Sequence, residues 1–168
     1  MKRLICLILL AVLFLPGCDS QEEEFIEPVT FYFLKADVAY FSAEGVIYPE
    51  VREAQGHRQD YIYLLSLYLQ GPESSEIKRV FPKNVSLVSF VMTDSSALVV
   101  LNDAAARLTG LDLTVACACL TATICDMTGV GTVTIRTESQ LLDGNKSITM
   151  NRDHILLIDS TVTGIGNN

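Results

Sequence analysis

The N-terminal segment determines which part of this chain is left to fold. The basic residues Lys2 and Arg3 precede an unbroken run of 12 apolar residues, from Leu4 to Leu15. A helix needs about 20 apolar residues to cross a bilayer, whereas a run of this length after two cations is typical of a secretory signal peptide. The sequence therefore predicts a cleaved signal at residues 1–17 and a mature chain that folds outside the cytoplasm.

A cysteine, Cys18, follows Gly17 directly at the end of this signal. The junction resembles the processing site of bacterial lipoproteins, in which the cysteine is diacylated and becomes the first residue of the mature chain. The acidic residues 18–27 would then form a solvated tether. The resemblance implies lipidation of Cys18 and anchoring on the extracytoplasmic side of the bacterial cell membrane. The alternative is an ordinary secretion signal that a cysteine follows by chance.

The charge balance narrows the kinds of partner. The full chain has 12 basic and 20 acidic residues, and removing Lys2 and Arg3 with the signal changes its net charge from −8 to −10. Binding to nucleic acid needs a basic surface that displaces counterions, so the sequence predicts no nucleic-acid partner. Anionic lipid would also repel this chain, so the acyl chains on Cys18 would have to hold it at the membrane.

The rest of the chain has the length of one domain, predicted at residues 28–162 with a tail at 163–168. A domain of this size buries roughly 68–70% of its unfolded surface, which is enough for one core. Three cysteines, Cys117, Cys119 and Cys125, lie in a stretch that the sequence predicts as one helix. Residues two apart on a helix point in nearly opposite directions, so these thiols cannot form a disulfide framework or a metal site. We expect them to be small core residues.

Hydrophobic periodicity gives the order of the elements. Strands are predicted at residues 29–35, 85–92, 97–101, 130–137 and 155–159, with two short extended pieces, 39–41 and 46–48, around a turn at 42–45; helices are predicted at 58–70 and 112–127, and a short helix after Asn102-Asp103. The predicted fold class is α+β, a mixed and largely antiparallel sheet with two main helices on one face, in the order β-β-α-β-β-α-β-β.

Several residues mark where these elements end. Gly71 suits a left-handed helix cap, Asp112 can cap the start of the second helix, and Gly129 can end it. Hairpin turns are expected at 93–96 and at Asp143-Gly144. In the strand at 85–92, apolar and serine residues alternate, with a step at Val88.

Four stretches, taken in order, resemble the GerMN domain of sporulation and germination lipoproteins. They are the strand at 31–34, the helix end at 67–72 with its Gly71-Pro72 stop, the segment 80–89 that contains Pro82, and the strand at 97–102. The similarity spans about residues 29 to 140 and implies one such domain. The family's implied role is non-catalytic: an envelope lipoprotein that helps to assemble or stabilise a protein complex during spore formation. The resemblance brings no catalytic, cofactor-binding or metal-binding residues.

The residues themselves show no pattern for chemistry. His57 and His154 are the two histidines, and both lie in polar segments where a solvated loop or turn is expected. There is no Gly-x-Ser-x-Gly frame and no cysteine next to a histidine, and the usual metal-ligand spacings are missing.

Two classes of function therefore remain open. The first is an interaction module that binds an envelope protein or its own copies; the second is a small-ligand-binding or cell-wall-hydrolysing lipoprotein. A shallow surface with an exposed strand edge would favour the first, with residues 29–34 or 155–159 as the expected edge. A deep polar pocket near either histidine would favour the second.

Overall fold

The computed structural model of the chain describes residues 27–37 and 46–155. The signal peptide, Cys18, most of the tether, the turn at 42–45 and the C-terminal tail lie outside the described residues. So does the predicted strand at 155–159, apart from Ile155.

The described strands form two sheets. The first has three antiparallel strands in the order β2-β1-β3: β1 (Pro28–Lys35), β2 (Ile47–Glu53) and the short β3 (Ile77–Lys78). The second has four strands in the order β4-β5-β6-β7: β4 (Leu87–Met92), β5 (Ser96–Leu101), β6 (Thr132–Thr137) and β7 (Ile148–Asn151). Only β5 and β6 run parallel; the other neighbours in this sheet are antiparallel.

Two α-helices accompany these sheets, α1 (Tyr61–Leu69) and α2 (Gly110–Thr128), with short 3₁₀ helices at Asp103–Arg107 and Arg152–His154. The α+β class with two main helices is confirmed, but its strands are divided between two sheets instead of forming one. The structure adds β3 between the helix and the next hairpin. It also adds β7, in a segment from which no strand was predicted.

Alternation along β1 builds the centre of the core. Val29, Phe31 and Phe33 point to the same face and are buried. Tyr68 of α1 stacks on the Phe33 ring at 4.8 Å and meets the edge of Phe31 at 5.8 Å. Its hydroxyl donates to the Tyr32 carbonyl oxygen at 3.2 Å, so the polar end of this buried ring has a partner. Helix α1 is thus fixed on the first sheet, and it also contacts β4 of the second.

Helix α2 is the crossover that the parallel pair β5 and β6 requires. It packs against β1 of one sheet and against β6 and β7 of the other. Among the described residues it is the one helix whose length and composition could cross a membrane, yet 67% of its most apolar stretch is buried in this domain. A core helix has these properties.

The three cysteines of α2 are unpaired and buried, as the sequence predicts. Burial raises the pKa of the Cys117 thiol to about 12 and raises that of Cys119 still further. Burial thus keeps these thiols in the uncharged form, and they pack as small apolar groups.

Both helices end at the glycines that the sequence predicts, and α1 begins later than predicted. Gly71 and Gly129 have φ of +95° and +79°, which confirms the two left-handed glycines. Helix α1 begins at Tyr61 and not at residue 58, because the Asp60 carboxylate accepts from the Tyr63 N–H at 3.0 Å.

The predicted cap at Asp112 is wrong. This residue lies in the first turn of α2, whose N-cap position is Thr109. The Gly110 N–H, which has no partner within the helix, donates to Asp143 Oδ2 at 3.0 Å. Asp143 lies in the loop between β6 and β7. The carboxylate that serves the helix N-terminus is therefore 33 residues away along the chain.

Both predicted hairpin turns are present. Thr93 N–H donates to the Ser96 carbonyl at 2.8 Å between β4 and β5. Asp143 and Gly144 have φ of +48° and +83°, the positive values that a type I′ turn requires at its two central positions.

Candidate functional site

Strand β4 lies at one edge of the four-stranded sheet that the described residues form. Two backbone hydrogen bonds show which of its N–H and C=O groups face β5. Thr93 N–H donates to Ser96 and Asn102 N–H donates to the Ser86 carbonyl at 3.0 Å, so residues 93 and 86 both face β5. One of these residue numbers is odd and the other even because the register shifts between Leu87 and Ser89, a β-bulge at the point where the alternation of the sequence is interrupted. Since alternate residues of a strand face the same way, Phe90 and Met92 direct their N–H and C=O groups away from β5.

This edge carries no charge. Residues 84–93 contain no acidic or basic side chain and no proline. Val88, Val91 and Met92 are 46%, 57% and 41% exposed. Native edge strands are usually protected by charges or proline, and β2, at the edge of the other sheet, carries Pro49, two glutamates and an arginine. Strand β4 has neither safeguard.

Two separate open depressions lie between β4 and α1, one towards each end of the strand. The larger, of about 640 Å³, lies beside the end of β4 and includes Tyr61, Ile62, Phe90 and Met92 in its wall. The smaller, of about 480 Å³, lies beside the start of β4 and includes Ser66, Leu69 and Leu87. Together we call them the α1–β4 groove. Of these lining residues, Ile62 is the most exposed apolar side chain, at 59%.

The two ends of the α1–β4 groove carry opposite charges. Arg79 and Lys83 line the depression at the Leu87 end. Asp60 lines the depression at the Met92 end, and Asp94 follows Met92 in the hairpin turn. Lys83 is exposed and forms no ion pair with any residue that the structure describes.

The edge expected from sequence, residues 29–34, is partly covered. Strand β1 lies between β2 and β3, and β3 pairs with Leu34 and Lys35. In addition, the Tyr32 N–H donates to Thr123 Oγ1 of α2 at 2.9 Å. The second expected edge, 155–159, lies outside the described residues apart from Ile155. The strand at 85–92 was predicted, but its position at the edge of the sheet was not, because an apolar, alternating strand does not reveal whether it has one neighbour or two.

The histidines lie apart from any enclosed pocket. His57 is exposed, stacks on Tyr63 with ring centres 4.0 Å apart, and has Nδ1 3.9 Å from Asp60 Oδ2. It lines the larger depression, which is broad and shallow. His154 is exposed in the last 3₁₀ turn. Within residues 27–37 and 46–155, no three potential metal-ligating side chains lie together.

A buried charge cluster at the C-terminus of α1 has a structural role. Arg52 of β2 forms an ion pair with Glu50 and donates to the Gly71 carbonyl at 2.7 Å, with its guanidinium over the Phe31 ring. Arg79 donates to the carbonyl oxygens of Leu69 (2.6 Å) and Gln70. Two cations thus satisfy the carbonyls that end the helix, where its dipole favours positive charge.

Comparison with known proteins gives matches in structure alone. No protein-family model and no curated protein matches the chain. The tandem GerMN domains of the sporulation protein GerM from Bacillus subtilis match 76% of this chain with a TM-score of 0.56 at 15% identity. This chain covers 45% of that tandem structure.

Two further structures match less well. A candidate lipoprotein from Clostridium perfringens has a TM-score of 0.49 at 19% identity, over 77% of this chain and 90% of its own. The first GerMN domain of GerM taken alone has a TM-score of 0.47 at 12% identity, over 68% and 84%. The match to the tandem structure shows that the described domain has a GerMN-like fold, as the sequence resemblance implied, and the chain spans less than half of that protein's structure.

Proposed function

We propose that this protein is a lipoprotein anchored through Cys18 on the extracytoplasmic side of a bacterial membrane. Its single GerMN-like domain, at residues 28–162, binds another envelope protein and catalyses no reaction. The process is spore formation or germination. The sporulation role comes from the fold it shares with GerM, and the anchor comes from the signal and the Gly17-Cys18 junction.

The outer edge of β4, which pairs with no other strand in the described part of the chain, is the observation that supports the binding role. Its outward N–H and C=O groups at Phe90 and Met92 form a template for another strand, and the exposed Val88 and Val91 add apolar surface. The depression beside His57 is shallow, whereas a small-ligand site is usually concave and buries most of its ligand. Of the two function classes left open by the sequence, these features favour the interaction module.

The proposal is tested by replacing residues at the edge and at the histidines in the full-length chain. In cells that lack the native gene, the double variant His57→Gln, His154→Gln should restore the wild-type phenotype. Val91→Lys should not restore it, because a charged edge strand resists pairing. Val51→Lys is the matched control, since Val51 is a 66% exposed valine on the edge strand of the other sheet.

Thermal melting of each purified variant should show that all three still fold. The proposal is wrong if the double histidine variant folds but is inactive. Equal activity of the Val91→Lys and Val51→Lys proteins would also contradict it.

A further inference from the structure

Resting on the proposed function, we infer that the partner binds as an extended segment added antiparallel to β4 in the α1–β4 groove. The segment is apolar at alternate positions, basic at its N-terminal end and acidic at its C-terminal end. The chemistry of the edge, the shape of the groove and the charges at its two ends each contribute one part of this description.

The backbone of β4 sets the binding mode. Phe90 and Met92 face outward with their N–H and C=O groups, so a partner strand can form the paired hydrogen bonds of an antiparallel ladder with both residues. Opposed residues of neighbouring strands project their side chains to the same face of the sheet. Phe90 and Met92 themselves line the larger depression, so the partner residues opposite them project into it as well.

The walls of the groove set the side chains that fit. Tyr61 and Ile62 of α1 face Phe90 and Met92 across the larger depression, and Tyr61 meets the Phe90 ring edge to face at 5.9 Å. Leu69 and Leu87 provide apolar surface in the smaller one. The side chains that enter these depressions belong to every second residue of an added strand, so the segment is apolar at alternate positions.

For an antiparallel segment, the charges set which of its ends is basic and which is acidic. An antiparallel segment has its N-terminal end beside Met92, near Asp60 and Asp94, and its C-terminal end beside Leu87, near Lys83. Lys83 is available because it forms no ion pair with a described residue, whereas the Arg79 guanidinium already holds the carbonyls of α1. A second copy of this acidic chain is disfavoured as the occupant, because two molecules of net charge −10 repel each other.

Synthetic peptides test this description directly. The probes are ten-residue peptides that alternate valine and threonine between two lysines and two glutamates, with the lysines at the N-terminus in one peptide and at the C-terminus in the other. Fluorescence anisotropy with the full mature chain at low salt should give a Kd about tenfold lower for the first peptide. Equal affinities, or no binding by either peptide, would overturn the inference.

Variants of the chain separate charge from backbone. Lys83→Glu should abolish the preference between the two peptides, and Lys146→Glu, an exposed lysine in the β6–β7 loop, should keep it. Met92→Pro removes one outward N–H, and proline is tolerated on an edge strand at such a position. This variant should weaken peptide binding at least about tenfold more than Met92→Ala, which keeps that N–H. If these two Met92 proteins melt like the wild type and bind the peptide equally, strand addition is wrong.

The outcomes distinguish this inference from the proposed function. If neither peptide binds but Val91→Lys still removes the cellular phenotype, the domain binds its partner at this edge by another mode and only the inference fails. If Val91→Lys and Val51→Lys restore the phenotype equally, the interaction role of the edge itself fails.

Discussion

At the scale of single residues, the C-terminal end of α1 depends on a glycine that has a positive φ and lies close to the Arg79 guanidinium. Gly71 has a φ of +95°, and a Cβ built on it would come within 2.9 Å of the Arg79 guanidinium. Arg79 cannot simply move away, because it donates to the carbonyl oxygens of Leu69 and Gln70. Backbone conformation and side-chain packing therefore both require glycine at this position.

We expect Gly71→Val to destabilise the domain by about 2 kcal/mol or more. A left-handed conformation costs a residue with a side chain about 1–2 kcal/mol, and the displaced Arg79 loses its hydrogen bonds as well. Urea unfolding of the purified chain measures the change.

Gly131→Val provides the comparison for this experiment. Gly131 has no heavy atom within 4 Å of an added Cβ and its φ lies outside the left-handed range. If both valine proteins unfold at the same urea concentration, the cap is not what fixes the end of α1.

The sequence predicts part of this arrangement. A Gly-Pro pair after an amphipathic stretch indicates a left-handed helix end, and Gly71 occupies one. Arg52 and Arg79 could not be assigned to the same site from sequence, because they reach it from a different strand and from a later loop. A local signal finds the glycine, and only the tertiary fold finds the cations.

At the scale of elements, α2 begins with a cap that comes from another part of the chain. Asp143 Oδ2 accepts from the Gly110 N–H at 3.0 Å, which brings a negative charge to the positive end of the helix dipole. Asp143 also has a φ of +48° in the turn between β6 and β7. One residue therefore both shapes this turn and caps the start of α2.

Asp143→Gly should therefore lower the stability of the chain by about 1 kcal/mol relative to Asp143→Asn. Glycine accepts the positive φ of the turn but removes the acceptor, whereas asparagine tolerates that φ and keeps an oxygen for the Gly110 N–H. Thermal melting followed by circular dichroism compares the two proteins. A more stable glycine variant would mean that the turn, and not the helix N-terminus, determines the effect.

Long periodic elements were predictable and short ones were not. The strands β1, β5 and β6 and the core of both helices follow from periodicity, because each buries one face or is buried on nearly all sides. Strand β3 has two residues, too few for a period. Strand β7 has four residues with none of them fully buried, so its sequence, Ile-Thr-Met-Asn, carries little hydrophobic signal.

At the scale of the whole molecule, the proposed attachment of the domain to the membrane depends on Cys18.

The GerMN-like fold and the α+β class could be predicted from the order of elements. The division into two sheets could not, since it depends on which strands pair across long stretches of chain. The groove was missed for the same reason. It exists because α1 lies beside a strand that has only one neighbour among the described residues.

Lipidation should be abolished by Cys18→Ala. In cells grown with an alkyne-bearing fatty acid, the wild-type chain should carry the label and the variant should not, because the lipid is attached through the Cys18 side chain. The variant should also keep its signal peptide and migrate as a larger species in gel electrophoresis, since Cys18 is the proposed processing site. Label on both proteins would place the anchor elsewhere or show that there is none.

Because the thiols of α2 are buried, their rate of alkylation reports how often this helix separates from the two sheets. Burial raises the pKa of the Cys117 thiol to about 12, so the folded domain keeps this thiol protonated at neutral pH, and its side chain is also fully buried. An alkylating reagent can therefore modify it rapidly only when α2 separates from the two sheets and the thiol regains its ordinary acidity. The rate at which such a reagent consumes Cys117 and Cys119 measures how often the central helix leaves its place, with no label introduced into the chain.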